Sequence, residues 1–114
     1  MHEMSLVQNI IDIVAQEMER HGVEQLRAIN LAVGRMSAVV PEQMTLCYEI
    51  LTSNTPLAGT VLNIRLVPIT YQCLDCEKEF PSEGIASQCP FCRSENLEMI
   101  FGRELKIESI EVMD

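Results

Sequence analysis

Two pairs of cysteines constrain the fold of this chain more than any other feature. The pairs read Cys73-Leu-Asp-Cys76 and Cys89-Pro-Phe-Cys92, and twelve residues separate them. Each Cys-x-x-Cys turn directs two sulfur atoms to one point, and two such turns joined by a hairpin present four thiolates as a tetrahedron. That donor set predicts a structural Zn²⁺ site. Because four thiolates close the coordination shell, the zinc has no position for a catalytic water.

Two alternatives for the cysteines carry less weight. A disulfide framework is disfavoured because no secretory signal is apparent and a fifth cysteine, Cys47, is left over, and both features favour a reducing cytosol. A thioredoxin-like redox site needs one Cys-x-x-Cys at the start of a helix and no matched second pair. The paired spacing therefore favours zinc.

Length and charge limit the classes of partner. The chain has 114 residues, enough for one domain or a small domain that carries a metal module. Its net charge is −9. Residues 71–97 contain two basic residues, Lys78 and Arg93, and five acidic residues. Nucleic-acid binding needs a basic surface, so the sequence argues against it. Since no apolar run has membrane-spanning length, a soluble cytoplasmic protein without a membrane partner is expected.

Hydrophobic periodicity predicts two helices. The first is expected to start at Ser5, in a capping box with Gln8, and to end at His21, which suits the last turn better as a cap than as a metal ligand. Its inner face is expected to contain Leu6, Ile10, Ile13, Val14 and Met18. The second helix should open after Pro41 and run over about residues 42–53, with Cys47 as a small core residue.

Alternating apolar residues predict three strands. Residues 26–33 and 60–67 each read as a half-buried strand. The inward residues of the second are Leu62, Ile64 and Leu66. The third strand, over residues 105–112, slips phase before Ile110, which predicts a bulge near Ser109.

Together these elements predict an α+β fold with two helices on a three-stranded mixed sheet and an inserted zinc-ribbon or knuckle hairpin module. The domain boundaries are expected at 1–69 and 102–114 for the α/β domain and at 70–101 for the zinc-binding domain. Pivots for the insertion are expected near residues 68–71 and 101–102.

The first three residues carry a second possible metal site. Met1 should be retained because His2 is not small, which leaves a free α-amine. That amine, the amide nitrogens of His2 and Glu3 and the imidazole form adjoining chelate rings, a nitrogen-rich donor set that suits Ni²⁺ or Cu²⁺. The Glu3 carboxylate can add a fifth contact or an outer hydrogen bond. Taken alone, such a segment is more often simply a frayed terminus.

With these residues in view, the chain resembles the HypA/HybF family of hydrogenase-maturation nickel metallochaperones. The segments that carry the resemblance are Met1-His2-Glu3-Met4-Ser5, Val33-Gly34-Arg35-Met36-Ser37, Pro41-Glu42, the two cysteine pairs and Ile107-Glu108-Ser109-Ile110-Glu111. The resemblance covers essentially the whole chain. It implies that nickel binds through Met1, His2 and Glu3, and that zinc binds through the four paired cysteines, Cys73, Cys76, Cys89 and Cys92.

The resemblance also implies partners. Such proteins deliver nickel to the large subunit of a [NiFe] hydrogenase together with a HypB-type GTPase, and in some organisms they serve urease. A homodimer is possible. The chain has no Gly-rich Lys-Ser/Thr phosphate loop. GTP hydrolysis is therefore expected of the partner, and this chain is expected to have no enzymatic activity.

One departure from the family pattern limits what can be carried over. Many relatives place a histidine directly after a zinc-binding cysteine pair, whereas here Cys76 is followed by Glu77 and Cys92 by Arg93. Exchange of histidines with thiolates at the zinc is therefore in doubt for this chain. Two rival classes remain: a zinc-ribbon protein-interaction or regulatory module without metal transfer, and a zinc enzyme, against which the four cysteines argue.

Overall fold

The computed structural model describes residues 2–113 and, for His2, the backbone alone. Within these residues the elements are α1 (His2–His21), β1 (Leu26–Gly34), α2 (Pro41–Thr52), β2 (Val61–Val67), β3 (Ile69–Cys73), β4 (Glu79–Ser82), β5 (Leu97–Phe101) and β6 (Leu105–Val112). The strands form two three-stranded sheets, in the orders β2-β1-β6 and β4-β3-β5. The predicted α+β class is confirmed. No helix in the described range is long and apolar enough to cross a membrane.

Helix α1 begins earlier than the sequence predicted. Its first residue is His2, so Ser5 lies inside the helix and the predicted capping box is wrong. Its end agrees with the prediction: Gly22 has φ 65°, the left-handed conformation that glycine adopts without strain. The amides of Gly22 and Val23 donate to the carbonyls of Glu19 and Met18, which is the pattern of a Schellman cap.

The buried face of α1 includes a charged residue. Val7, Ile10, Val14 and Met18 repeat at intervals of three or four and are buried. Glu3 continues this stripe one turn earlier and is only 6% exposed. Ile13, predicted to face inward, is 50% exposed, because it lies to one side of the stripe.

Strand β1 is the centre of its sheet and is buried more completely than predicted. Ile29 and Leu31 are buried, and so are Ala28 and Ala32, whose side chains point to the opposite face, so the half-buried prediction is wrong. A central strand has neighbours on both sides, and alternation of large with small apolar residues does not by itself expose the small ones. In the edge strand β2, Leu66 is 43% exposed, contrary to prediction.

A polar network crosses one face of the sheet β2-β1-β6. Asn30 of β1 donates to Ser109 of β6 and accepts from Asn63 of β2. Arg65 of β2 forms two hydrogen bonds with Glu108 of β6, at 3.0 and 2.9 Å. Asn63 and Arg65 lie on one face of the sheet, and the network of contacts reaches both Glu108 and Ser109 on that face. In a regular strand these two adjacent residues would point to opposite faces. The bulge predicted near Ser109 would account for the arrangement and stays a prediction.

The chain divides into two compact units. One, the helical unit, comprises Met1–Leu31, Val39–Arg65 and Lys106–Asp114; the other, the cysteine unit, comprises Ala32–Ala38 and Leu66–Leu105. The cysteine unit contains the sheet β4-β3-β5 and a core of Ile69, Tyr71, Cys73, Phe80 and Cys89. Of the residues predicted as pivots, 69–71 and 101 lie in strands, since β3 pairs with β5 and places Thr70 opposite Phe101.

Backbone hydrogen bonds hold the last residue of β1 and the two residues after it within the cysteine unit. Gly34 and Met36 donate to the carbonyls of Glu104 and Gly102, each at 2.7 Å, and Arg35 donates to Val67 at 3.1 Å. The approach at Gly34 is so close that a Cβ there would lie 2.1 Å from the Gly102 carbonyl oxygen. Only glycine fits this position.

Replacement of Gly34 with alanine is therefore expected to lower the free energy of unfolding by roughly 3 kcal/mol or more, because backbone rather than a flexible side chain must move. The matched control is Gly84→Ala in the same unit, where an added Cβ meets nothing within 4 Å. Urea unfolding of the zinc-loaded protein measures both changes. Equal stability of the two variants would contradict the close approach.

Candidate metal centre

The two cysteine pairs form turns of the same conformation. The first turn follows β3, and the second lies before β5. In the first, the Glu77 amide donates to the Cys73 carbonyl at 2.9 Å; in the second, the Arg93 amide donates to the Cys89 carbonyl at 2.8 Å. Glu77 and Arg93 both have positive φ, 67° and 63°. Each turn thereby places its two cysteines on one side of the loop.

Backbone amides in both turns point at sulfur. The Cys76 amide donates to Cys73 Sγ and the Phe91 amide donates to Cys89 Sγ, each at 3.4 Å. Hydrogen bonds to the charged form of a titrating group favour that form. The turns therefore stabilise thiolates, which are the metal-binding form of cysteine.

The four sulfur atoms converge. The Sγ atoms of Cys73 and Cys92 lie 3.5 Å apart, those of Cys76 and Cys89 lie 3.7 Å apart, and all four lie within 4.8 Å of one another. A tetrahedron with Zn–S bonds of about 2.3 Å has sulfur separations of about 3.8 Å. The sulfur positions fit a four-coordinate zinc ion, and thiolate sulfur is a ligand that zinc takes in structural sites.

The pairs differ in burial. Cys73 and Cys89, the first member of each pair, are 0% and 1% exposed and belong to the hydrophobic core of the cysteine unit. Cys76 is half-buried and Cys92 is exposed. A metal held here would thus join the core to the surface turns.

Backbone amides and neighbouring sulfur atoms shift the pKa values of the thiols. The Cys76 amide lowers the pKa of the Cys73 thiol to about 7. The Ser94 amide acts in the same direction on Cys92, but the neighbouring Cys73 sulfur and burial outweigh it and raise the pKa of Cys92 to about 12. Four thiolates at these distances repel one another, and a divalent cation removes that repulsion.

Polar contacts that sequence reasoning did not identify tie the two turns together. The Leu74 amide donates to the Asn96 carbonyl at 2.9 Å, and the Ser94 hydroxyl donates to the Asp75 carboxylate. The Lys78 ammonium lies 4.7 Å from the centre of the Phe91 ring. Ser94 and Asn96 lie just after the second cysteine pair, and no spacing rule marks them as partners of the first.

The other candidate ligands lie elsewhere. Cys47 is buried in α2, as predicted, at 4% exposure. His21 is exposed in the last turn of α1, 3.4 Å from the Glu17 carboxylate, which agrees with its predicted place at the helix end.

The predicted N-terminal nickel ligands are described in part. Met1 and the side chain of His2 lie outside the described residues. The backbone of His2 and Glu3 forms the first turn of α1, where amides have no acceptor within the helix. The Glu3 carboxylate accepts a hydrogen bond from the Val40 amide at 3.4 Å. Glu42 is exposed in the first turn of α2.

Comparison with known families gives a match over nearly the whole chain. The family model described as hydrogenase/urease nickel incorporation, metallochaperone, hypA matches residues 1–112. Proteins named hydrogenase maturation factor HypA are similar at full length. One from Solidesulfovibrio magneticus is 36% identical over 98% of this chain and 99% of its own, and one from Desulfosudis oleivorans is 37% identical over 100% of both.

Solved structures show the same fold. A solution structure of a HypA protein superposes with a TM-score of 0.77 at 21% identity, and covers 99% of this chain and 97% of its own. The solution structure of the nickel metallochaperone HypA from Helicobacter pylori gives a TM-score of 0.67 at 19% identity, with 97% of both chains covered.

Proposed function

The chain belongs to the HypA family of hydrogenase-maturation nickel metallochaperones, and from that premise we propose that it binds Ni²⁺ at its N-terminal Met-His-Glu segment and delivers it to the large subunit of a [NiFe] hydrogenase. The resemblance found in the sequence is confirmed at the level of the family. Members of this family are metallochaperones and not enzymes, which agrees with the absence of catalysis expected from the sequence.

The proposed zinc ligands are Cys73, Cys76, Cys89 and Cys92. The observation that supports them is the convergence of the four sulfur atoms within 4.8 Å, with an amide donor to one sulfur in each turn. The role proposed for the zinc is structural, because four thiolates leave no exchangeable position. Residues 70–101 form the proposed zinc-binding domain, and residues 1–69 with 102–114 form the nickel-binding domain.

The proposed nickel ligands are the α-amine of Met1, the amide nitrogens of His2 and Glu3 and the His2 imidazole. The observation that supports them is the start of α1 at His2. Both amides lie in the first helical turn, so metal binding breaks no hydrogen bond of the helix. A donor set at a terminus is open to a second set of ligands, which suits a metal that must be handed on.

The proposed partners follow from the role of the family in hydrogenase maturation. They are a HypB-type GTPase, the large subunit of the hydrogenase and, for the isolated protein, a second copy in a homodimer. The transfer would take place in the cytoplasm. The net charge of −9 would favour a basic face on a docking protein.

A second candidate function is a zinc-ribbon module that binds proteins without transferring metal. It is favoured by exposed apolar side chains on the cysteine turns, where Leu74 is 48% and Phe91 is 57% exposed. This candidate predicts one zinc ion per chain and no dependence of any metal on His2.

Nickel titration of the zinc-loaded protein tests the proposal. We expect one nickel ion per chain in the unmodified protein and loss of that ion in His2→Gln, because the imidazole closes a chelate ring. Glutamine is not small, so Met1 and its α-amine are retained in this variant. The matched control is His21→Ala, which removes the other histidine from an exposed position on the same helix and should leave nickel binding unchanged. Equal nickel binding by all three proteins would refute the N-terminal site and favour the second candidate.

A further inference from the structure

An apolar groove, called here the α1 groove, lies beside the C-terminal half of α1. Its floor is formed by Met18 and Leu57, which line it and are only 7% and 5% exposed. Its sides include Ile11, Ala15 and Val23, and the space between them is about 460 Å³. All of these residues belong to the helical unit. None of them belongs to the candidate metal centre or to the N-terminal segment.

The charged side chains at the edge of the α1 groove are both acidic. Glu19 and Glu24 line it and are exposed, and no basic residue lines it in the described part of the chain. Within the described residues neither carboxylate forms an ion pair or a hydrogen bond, whereas the nearby Glu17 is paired with Arg20 and His21. Two unpaired carboxylates beside an apolar surface complement a ligand that combines apolar side chains with lysine or arginine.

The backbone around the α1 groove offers no strand edge. Helix α1 satisfies its own amides and carbonyls, and its end is closed by the bond from the Val23 amide to the Met18 carbonyl at 2.8 Å. On the other side, the Leu57 and Ala58 amides donate to the hydroxyl and the carbonyl of Thr55, at 3.2 and 3.0 Å. An extended peptide would find no backbone partners here, whereas a helix satisfies its backbone internally.

We propose that the α1 groove is a docking site for a basic amphipathic helix of a partner protein. The apolar side chains of that helix, spaced at i, i+3 or i+4 and i+7, lie over Met18 and Leu57. Its lysine or arginine side chains lie beside Glu19 and Glu24. The groove follows α1 from Ile11 to Met18, about 10 Å of helix, which equals the distance from the first to the last of these apolar positions.

Fluorescence anisotropy with synthetic peptides tests the form of the ligand. The probe is a labelled peptide of about 14 leucine and lysine residues, ordered with helical periodicity so that leucine covers one face. The matched peptide has the same composition but alternates leucine with lysine, which favours an extended strand. With zinc-loaded protein and no nickel, the helical peptide should bind saturably and about tenfold more tightly than the alternating one. Equal or tighter binding of the alternating peptide would overturn the helical occupant.

A substitution inside the α1 groove tests the site. Ala15→Gln adds a long amide side chain at an exposed position without a change of charge. It should weaken binding of the helical peptide about tenfold or more, because a polar group displaces an apolar one from the contact. The matched control is Ser5→Gln, which places the same side chain at an exposed position of α1 outside the groove and should leave the affinity unchanged. Equal affinity of the two variants would overturn the site.

Paired substitutions of equal charge test the two edge carboxylates. Glu19→Gln combined with Glu24→Gln should weaken peptide binding about threefold or more at low salt. Glu42→Gln combined with Glu49→Gln removes the same charge from exposed positions of α2 outside the groove and should have a smaller effect. Equal effects of the two pairs would show attraction to the net charge alone and would overturn the role of the edge.

Sedimentation of the protein without peptide tests the other occupant, a second copy of the chain. We expect Ala15→Gln to leave the oligomeric state of the unmodified protein unchanged. A dimer of the unmodified protein that is lost in Ala15→Gln would assign the α1 groove to the second copy and overturn the proposal. Because no nickel is added in any of these measurements, their failure would leave the proposed nickel site untouched.

Discussion

Cys89→Ser is expected to abolish zinc binding and to unfold the core of the cysteine unit. Cys89 is 1% exposed and packs in one cluster with Ile69, Tyr71 and Phe80, so its sulfur joins the predicted metal directly to the hydrophobic core. Binding of a structural zinc ion contributes about 10–16 kcal/mol of apparent free energy in small zinc modules. That is as large as the roughly 5–15 kcal/mol by which a whole domain is usually stable.

Two spectroscopic regions separate the effects on the two units. The stacked pair Tyr71 and Phe80, with ring centres 5.8 Å apart, belongs to the cysteine unit and should lose its near-UV circular dichroism. The helices α1 and α2 contain none of the four paired cysteines, so the helical far-UV signal should persist. Zinc content is measured by native mass spectrometry.

The matched control is Cys47→Ser, which replaces a cysteine that is also buried but lies outside the sulfur cluster. It should keep one zinc ion and an unchanged near-UV spectrum, although a buried hydroxyl will cost some stability. One bound zinc ion and an unaltered near-UV spectrum in Cys89→Ser would show that the four-cysteine site is wrong.

Four residues, Gly-Ser-Gly-Ser, placed before Met1 are expected to lower nickel affinity by about 100-fold or more, because joining donors in one chelate raises affinity by factors of this order. The added residues convert the α-amine into an amide and move the free amine too far from the His2 imidazole to share a chelate with it. The buried contact between Glu3 and Val40 is untouched, so the stability of the metal-free helical unit should not change. Isothermal titration of zinc-loaded protein with Ni²⁺ measures the difference.

The same four residues added after Asp114 are the control for the extension, since they change chain length and leave the N-terminal donors intact. Zinc content should be the same in both extended proteins. Full nickel affinity in the N-terminally extended protein would exclude the α-amine as a ligand and would require a different donor set.

The helices show how far periodicity can predict burial. The spacing of apolar residues predicted Ile10, Val14 and Met18 on the inner face of α1, and all are buried. The same pattern placed Ile13 inside and gave no reason to bury Glu3. A carboxylate is placed on the solvent side by any hydrophobicity rule, and its burial depends on an amide that only the packing of α1 against α2 provides.

The strands show a similar limit. Alternation placed β1 and β2 at the right positions in the chain. It could not say that β1 is the central strand and is buried at Ala28 and Ala32, because the order of strands in a sheet depends on contacts between distant segments. The pairing of β3 with β5 was missed for the same reason, and residues that pair in a sheet were predicted to be pivots.

The sequence alone determined the fold class, the four cysteines of the metal centre and the family. Cysteine spacing is local: a Cys-x-x-Cys turn brings its two sulfur atoms together whatever the rest of the chain does. The tertiary structure alone decided that Glu3 bonds to Val40, that Ser94 bonds to Asp75 and that Gly34 meets the Gly102 carbonyl. These contacts join residues far apart in the chain, and their geometry exists only once the separate elements have packed.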